Sequence, residues 1–260
     1  MKKHIAVITG ASSGIGAEFA RQLDDVGLKE YTPDEFWLIA RREDRLHQLA
    51  DTLSVPSRVL PLDLTDPDAV QNYAQLLRDE EVCVDWLICA AGFGKMGSFD
   101  EVSPRDVEDM IDLNVKALVR MTYATLPFME RGGHIVELGS SSSFFPLPYF
   151  NIYASTKAFV VHFAAGLHEE LRPRGISVTS VSPGWVKTDF FSVAEQGSAH
   201  QPRQYKPMFS AEAVVRTALR DASRGRMTSV CGLFPKLHRL AGKILPNRIL
   251  QAMWKNMRGE

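Results

Sequence analysis

The sequence predicts an α/β protein with a doubly wound parallel sheet of seven strands and helices on both of its faces. Three observations lead there. Short β-rich runs alternate with longer helical stretches along the chain, the order that parallel strands joined by helical crossovers require. Most of the runs are nearly continuous in apolar residues, as strands covered on both faces are. A glycine-rich turn follows the first run and opens the first helix.

The strands fall in order along the chain. "HIAVIT" at 4–9, "EFWLIA" at 35–40, "RVLPLD" at 58–63 and "VDWLICAA" at 84–91 make the first four. "HIVELG" at 134–139, "ISVTSVS" at 176–182 and "MTSVCG" at 227–232 complete the seven. Helices fill the intervals, and one start is explicit: Ser103 as cap, Pro104 in the first turn and Asp106 as a capping-box-like acid. Long helices are expected around 105–130 and 151–172. After "MTSVCG", Leu237, Leu240, Ala241, Ile244 and Leu245 follow one helical stripe. Ile249, Leu250, Met253, Trp254 and Met257 follow a second beyond Pro246. No repeat, low-complexity tract or linker divides the chain. It reads as one domain, 1–234, with 235–260 as a helical extension of that domain.

Composition narrows the function. The 260 residues, 45% of them hydrophobic, are enough for a sizeable core. Thirty Lys and Arg balance 31 Asp and Glu, which argues against nucleic acid as a partner. Cys83, Cys89 and Cys231 are too few and too scattered for a disulfide framework or a metal cluster. They read as reduced and structural, and no metal is expected. The N-terminus lacks the length of a signal sequence, and no apolar run approaches the ~20 residues of a membrane span. A soluble cytoplasmic protein is the expectation.

In a doubly wound sheet ligands bind beyond the carboxyl ends of the strands, so chemistry is sought in the loops there. The first of these reads "TGASSGIG", residues 9–16. Gly10, Gly14 and Gly16 let the backbone turn tightly and approach a pyrophosphate, whose charge sits on the amides opening the helix. Farther along, "YFNIYASTKAF" places Tyr153 four residues before Lys157. On a helix these two side chains share a face. A cation close to a phenol favours the phenolate and brings its titration toward neutrality. Taken alone, the pair also fits an amphipathic helix with its Lys in water.

Together these segments resemble the short-chain dehydrogenase/reductase family over nearly the whole chain. "TGASSGIG" is similar to its T-G-x-x-x-G-x-G turn, "YASTK" to its active-site segment and "SPGWVKT" at 182–188 to its P-G-x-x-x-T loop. The resemblance implies a Rossmann-type fold and hydride transfer between a nicotinamide and a carbonyl or secondary alcohol. It implies four catalytic residues: Asn114, Ser140, Tyr153 and Lys157. Tyr153 exchanges a proton with the substrate oxygen, and Ser140 donates a hydrogen bond where charge develops. Lys157 lowers the phenol's pKa and holds the nicotinamide ribose, and Asn114 holds a water that links Lys157 to solvent. The cofactor site implied by resemblance comprises Gly10, Ser12, Ser13, Gly14, Ile15, Gly16, Asp63, Leu64, Ala91, Gly92, Pro183, Gly184, Val186 and Thr188, with Tyr153 and Lys157.

Two departures stand out. "CAAG", 89–92, replaces the family's usual N-N-A-G and removes a polar prop near the adenine ribose. "GLKEYTPDEFW", 27–37, lengthens a connection at the opposite end of the strands from the site. At the end of the second strand Ala40 takes the place where an NAD enzyme carries an acid, and Arg41 and Arg42 follow. Arginines there accommodate the extra phosphate of NADP(H).

The substrate side is less defined. Residues 189–209 correspond to the family's variable substrate loop, and "GFGKMGSF" at 92–99 is expected to line another wall. Phe190, Phe191 and the C-terminal segment are read as walls of a pocket for a small-molecule carbonyl or alcohol substrate, bulky and apolar. The basic side of that segment also suits a membrane surface, but packing on the domain or on a partner subunit is favoured. A homo-oligomer could form by pairing of the two long helices. Two other classes stay open: a cofactor-binding regulatory protein without turnover, and an isomerase or dehydratase on the same scaffold.

Overall fold

The computed structural model describes residues 2–25, 32–196, 198, 200–202 and 205–258. The part of the lengthened connection at 27–31, four positions of the expected substrate loop and the last two residues lie outside the described residues.

Seven parallel strands form the sheet: β1 (His4–Thr9), β2 (Glu35–Ala40), β3 (Ser57–Pro61), β4 (Cys83–Cys89), β5 (His134–Leu138), β6 (Ser177–Val181) and β9 (Thr228–Ser229). Their order across the sheet is β3-β2-β1-β4-β5-β6-β9. All seven expected runs are present. The last shortens to two residues because only Thr228 and Ser229 pair with β6 at the sheet's edge. A small ladder between β7 (Trp185–Val186) and β8 (Met208–Phe209) was not expected. Two-residue strands carry too little periodicity to be read from sequence.

Alternation along each strand divides the core into two layers. Ile5 and Val7 of β1 point to one side with helices α3 (Pro67–Asp79), α5 (Leu118–Thr125) and α6 (Asn151–Leu171). Ala6 and Ile8 point to the other with α1 (Gly14–Asp24), α2 (Glu43–Ala50) and α8 (Ala211–Ser223). Both layers are largely apolar, which explains the nearly continuous hydrophobic runs.

The helix opened by Ser103 contains a local change of winding. α4 (Pro104–Ile111) passes into a π-helical turn over Asp112–Ala117 before α5 begins. Ser103 caps it as expected, its Oγ accepting from the Asp106 amide at 3.0 Å. The capping box is not reciprocal, because the Ser103 hydroxyl donates to the Asp106 carboxylate instead. The π turn inserts one residue into the helical ladder at Asn114, a device found often at functional sites.

All three cysteines are free. Cys83 nonetheless lies near two other donor side chains. Parallel pairing of β1 with β4 brings its sulfur within 4.8 Å of donor atoms of His4 and Asp85. That trio sits at the amino end of the sheet, and Asp85 already engages His4 Nδ1 at 2.9 Å. The chain closes with α7 (Phe190–Ala194) after β7, and with α9 (Leu233–Ile244) and α10 (Asn247–Arg258) after β9. Among the described residues no helix is long and apolar enough to cross a membrane.

Candidate active site

The glycine turn shows why its residues are small. Gly10 has φ +68°, and a Cβ there would lie 2.8 Å from the backbone of Ala90 and Ala91. Gly14 also holds a left-handed conformation, φ +55°, and a Cβ on Gly16 would overlap the Gly10 carbonyl. Helix α1 begins at Gly14 behind an extended Ser13 that makes no side-chain cap. Its first amides are thus left for an anion in the cleft they border. Arg42 reaches across this turn, donating to Ser12 Oγ at 3.0 Å and Ser13 Oγ at 2.7 Å. Arg41 lies 3.9 Å from Asp63 and is largely exposed. Two guanidinium groups and two hydroxyls thus gather where β2 ends.

The second half of the site is set by α6. Tyr153 and Lys157 are buried on one of its faces, with Lys157 Nζ 5.8 Å from the Tyr153 ring centre. The Lys157 ammonium donates to the carbonyl of Leu138 at 2.7 Å, which ties α6 to the carboxyl end of β5. Two residues on, Ser140 hydrogen-bonds Tyr153. Its Oγ also accepts from the Ser142 amide at 3.1 Å. Asn114 is fully buried. Its amide donates to Phe93 O at 2.8 Å and to Thr156 Oγ1 at 3.1 Å, and its Oδ1 accepts from Phe93 N at 3.0 Å. Both amide hydrogens are therefore used, and Oδ1 keeps one lone pair. A Cβ on Gly92 would sit 2.8 Å from that Oδ1 and 3.3 Å from Lys157 Nζ. Gly92 is thus the residue over which Asn114 and Lys157 approach each other.

Electrostatics modify the expected role of the lysine. Burial pushes the Tyr153 phenol up to about 12, against a smaller lowering by its hydrogen bond to Ser140. Phe150, stacked at 4.4 Å, and Phe190, at 5.3 Å, supply much of that enclosure. The expected shift toward neutrality is not found, because the Lys157 ammonium is directed at the Leu138 carbonyl and desolvation dominates. Burial pulls Lys157 itself down to about 8, with Glu137 acting in the opposite sense. Glu137, enclosed in β5 and bonded by Thr122 at 2.8 Å, is raised by burial to about 7. The phenol consequently keeps its proton through the neutral range.

One cleft of about 700 Å³ joins these parts. It is lined by every residue expected at the cofactor site, including Leu64, Ala91, Pro183, Gly184, Val186 and Thr188, and by Ser140, Tyr153 and Lys157. Asn114 does not line it and acts from behind Gly92. Beyond Tyr153 the cleft becomes apolar. Phe150, Leu147, Trp254 and Tyr153 share a buried cluster against which Phe93, Trp185 and Phe190 pack. Trp254 Nε1 donates to Pro148 O at 2.8 Å, fixing α10 over this end.

A family model for the short chain dehydrogenases matches residues 4–198. The chain belongs to this family. Sulfoacetaldehyde reductase 2 of Chromohalobacter salexigens is 37% identical over 199 residues, 74% of this chain and 77% of its own. A short-chain dehydrogenase from Sphingobium yanoikuyae, solved in complex with NADPH, superposes with a TM-score of 0.76 at 30% identity. It covers 99% of this chain and 97% of its own. The bulky-bulky ketone specific alcohol dehydrogenase of Comamonas testosteroni gives 0.71 at 27% identity, with 98% and 94% covered. The family is one of oxidoreductases, and this chain is an oxidoreductase of it.

Several residues at the site escaped the sequence reading. Glu137 carried a signal, being an acid between the apolar Val136 and Leu138 of a buried strand. Trp185 stood within the recognised "SPGWVKT" loop, and Phe150 three residues before Tyr153. Phe145, Leu147 and His238, which line the cleft, gave none. The raised phenol leads to a direct expectation. In protein labelled with 13C at the tyrosine ring, the Tyr153 resonance, identified by its loss in Tyr153→Phe, should show no titration below pH 10. A midpoint near 7 would contradict the dominance of burial.

Proposed function

We propose that this oxidoreductase is an NADP(H)-dependent carbonyl reductase for substrates with bulky apolar groups, with Tyr153 as the proton donor. The observation that carries the reading is a buried phenol hydrogen-bonded to Ser140, with Lys157 one turn away, at the floor of a cleft that is polar on one side and aromatic on the other. The glycine cradle, which any Cβ at Gly10 or Gly16 would fill, and the open amides of α1 fit a dinucleotide's pyrophosphate. Ser142 Oγ, buried at the cleft and without a partner among the described residues, is a further polar group available to a ligand. When bound, the nicotinamide supplies the hydride.

The chain's own residues then act on oxygen. As negative charge develops there, Tyr153 gives up its proton and Ser140, whose hydrogen is not used by its bond from Ser142, donates a hydrogen bond. A phenol held at about 12 is still far more acidic than the alcohol being formed, so transfer runs toward the nascent alkoxide. The reverse reaction would begin from the phenolate, so at neutral pH the resting enzyme carries the proton that the reducing direction uses. Lys157 anchors the face of α6 that carries Tyr153 and presents a cation to ribose hydroxyls. Asn114 positions Phe93 and α6, and its remaining lone pair faces Gly92 beside Lys157, where a bridging water would be held.

Cofactor and substrate choice follow from the two ends of the cleft. Arg41, Arg42, Ser12 and Ser13 suit a ribose phosphate, and Ala40 offers no carboxylate to a ribose diol. The NADPH in the Sphingobium structure supports this choice. The aromatic end, closed by Trp254 and Phe190, suits an apolar carbonyl compound of some size, in keeping with the bulky ketones named for the Comamonas enzyme.

Two substitutions test the proposal. Tyr153→Phe keeps the ring and its stacking on Phe150, so ketone reduction should fall at least ~100-fold while NADPH affinity changes little. Retained turnover in a variant of unchanged stability would remove Tyr153 from its role. Arg41→Asp should lower the ratio of kcat/KM for NADPH over NADH by at least ~10-fold, as a charge-assisted contact becomes a repulsion. Arg42→Asp should do the same and also weaken both cofactors by freeing Ser12 and Ser13. Unchanged ratios in both variants would contradict the NADP assignment.

A further inference from the structure

Helix α9 is turned the opposite way from the packing that its sequence suggests. Leu233, Leu237, Leu240 and Ile244 recur at helical spacing on one face, and they are 73%, 53%, 53% and 68% exposed. The side of α9 that meets the protein carries Pro235, Gly242 and the half-buried His238, which packs edge-on against Phe145. Pro235 is buried, and Gly242 lies so close to the Phe144 carbonyl that a Cβ would collide with it. The large apolar stripe therefore faces outward rather than onto the domain, with Ala241 and Leu245 beside it half-buried. The second stripe divides: Leu250 and Trp254 are buried in α10, whereas Ile249 and Met253 remain 48% and 45% exposed.

Charge identifies what the stripe meets. Six Lys and Arg and no Asp or Glu occur over residues 233–258. Lys236 and Lys243 are exposed and flank the stripe on one side, where long side chains can keep their ammonium groups in water while the apolar face is immersed. Two copies pairing antiparallel through this face would set basic flank against basic flank, since the two-fold then places Lys236 and Lys243 of both copies on the same side. We propose that α9 lies on an anionic lipid surface, with Leu233, Leu237, Leu240 and Ile244 in the apolar layer and Lys236 and Lys243 at the headgroups.

The location gives this surface a use. Phe234 of α9 and Met253 of α10 are each exposed in part and also line the cleft. The outward apolar face and the substrate wall are therefore continuous. Resting on the carbonyl-reductase reading, the inference is that an apolar substrate passes from the lipid layer to Tyr153 along this continuous wall.

The test uses the full chain and vesicles of phosphatidylcholine with roughly a third phosphatidylserine, an anionic surface of the required kind. The parent protein should co-sediment with them, and should do so far less with phosphatidylcholine alone or in high salt. Leu240→Glu with Ile244→Glu, and separately Lys236→Glu with Lys243→Glu, should each reduce the bound fraction at least ~10-fold. None of these four residues lines the cleft, so thermal melting and reduction of a small water-soluble ketone should match the parent. A parent that stays in the supernatant, or variants that bind equally well, would overturn the proposal. So would a dimer that the Leu240 and Ile244 changes dissociate in the absence of vesicle binding, which would assign the face to a second copy. Binding without reductase activity would leave the surface standing and remove only the carbonyl reading.

Discussion

The bond from the Lys157 ammonium to the Leu138 carbonyl, 2.7 Å long, is the interaction on which the rest of the site depends. A cation this deeply buried is costly unless strong acceptors surround it. Here the acceptor is the carbonyl at the end of β5, and the charge of Glu137 on the same strand acts in support. The bond ties α6 to the end of β5, and Val160, Ala164 and Leu171 pack the same helix into the core beneath the sheet. That orientation brings Tyr153 to Ser140, two residues past Leu138, and Thr156 to Asn114. It also brings Lys157 to the spot beside Gly92 that only a residue without Cβ can occupy. The helix–strand bond thus lies at the junction where Asn114, Ser140, Tyr153 and Lys157 gather.

Much of this was legible in the sequence, for reasons that differ by element. The strands were readable because both faces of the sheet are covered, so that runs such as "HIAVIT" admit almost no polar residue. Gly10 and Gly16 were readable because close backbone approach tolerates nothing larger. The π turn at Asn114 was not, since its residues suit an ordinary helix and only the hydrogen-bond ladder distinguishes the two. The titration of Tyr153 was misjudged because spacing shows that Lys157 can reach the phenol, but not where its ammonium points or how completely Phe150 and Phe190 exclude water. Periodicity likewise found the stripe on α9. It could not show which side faces the protein, a matter decided by Gly242 against Phe144.

The two ends of the cleft divide the labour of recognition. Near the glycine turn, backbone amides, Ser12, Ser13 and two arginines present a polar, cationic surface. Past Tyr153, the aromatic cluster built from α6, β7, α7 and α10 presents an apolar one. Enclosure by that cluster also raises the phenol's pKa, so the same side chains that would hold an apolar substrate keep Tyr153 protonated. The apolar character of that end of the cleft and the protonation of Tyr153 therefore share a single physical cause, desolvation.

The central claim is that this cleft carries out reduction of a carbonyl, with net transfer of hydride to the substrate. It is tested most directly by supplying a bulky ketone with NADPH deuterated at the transferable position of the nicotinamide and locating the label by mass spectrometry and NMR. The account predicts one deuterium per turnover on the carbinol carbon of the product, with stoichiometric loss of NADPH absorbance. Product formed without deuterium, or with NADPH undiminished, would contradict it and place the chemistry in the isomerase or dehydratase class.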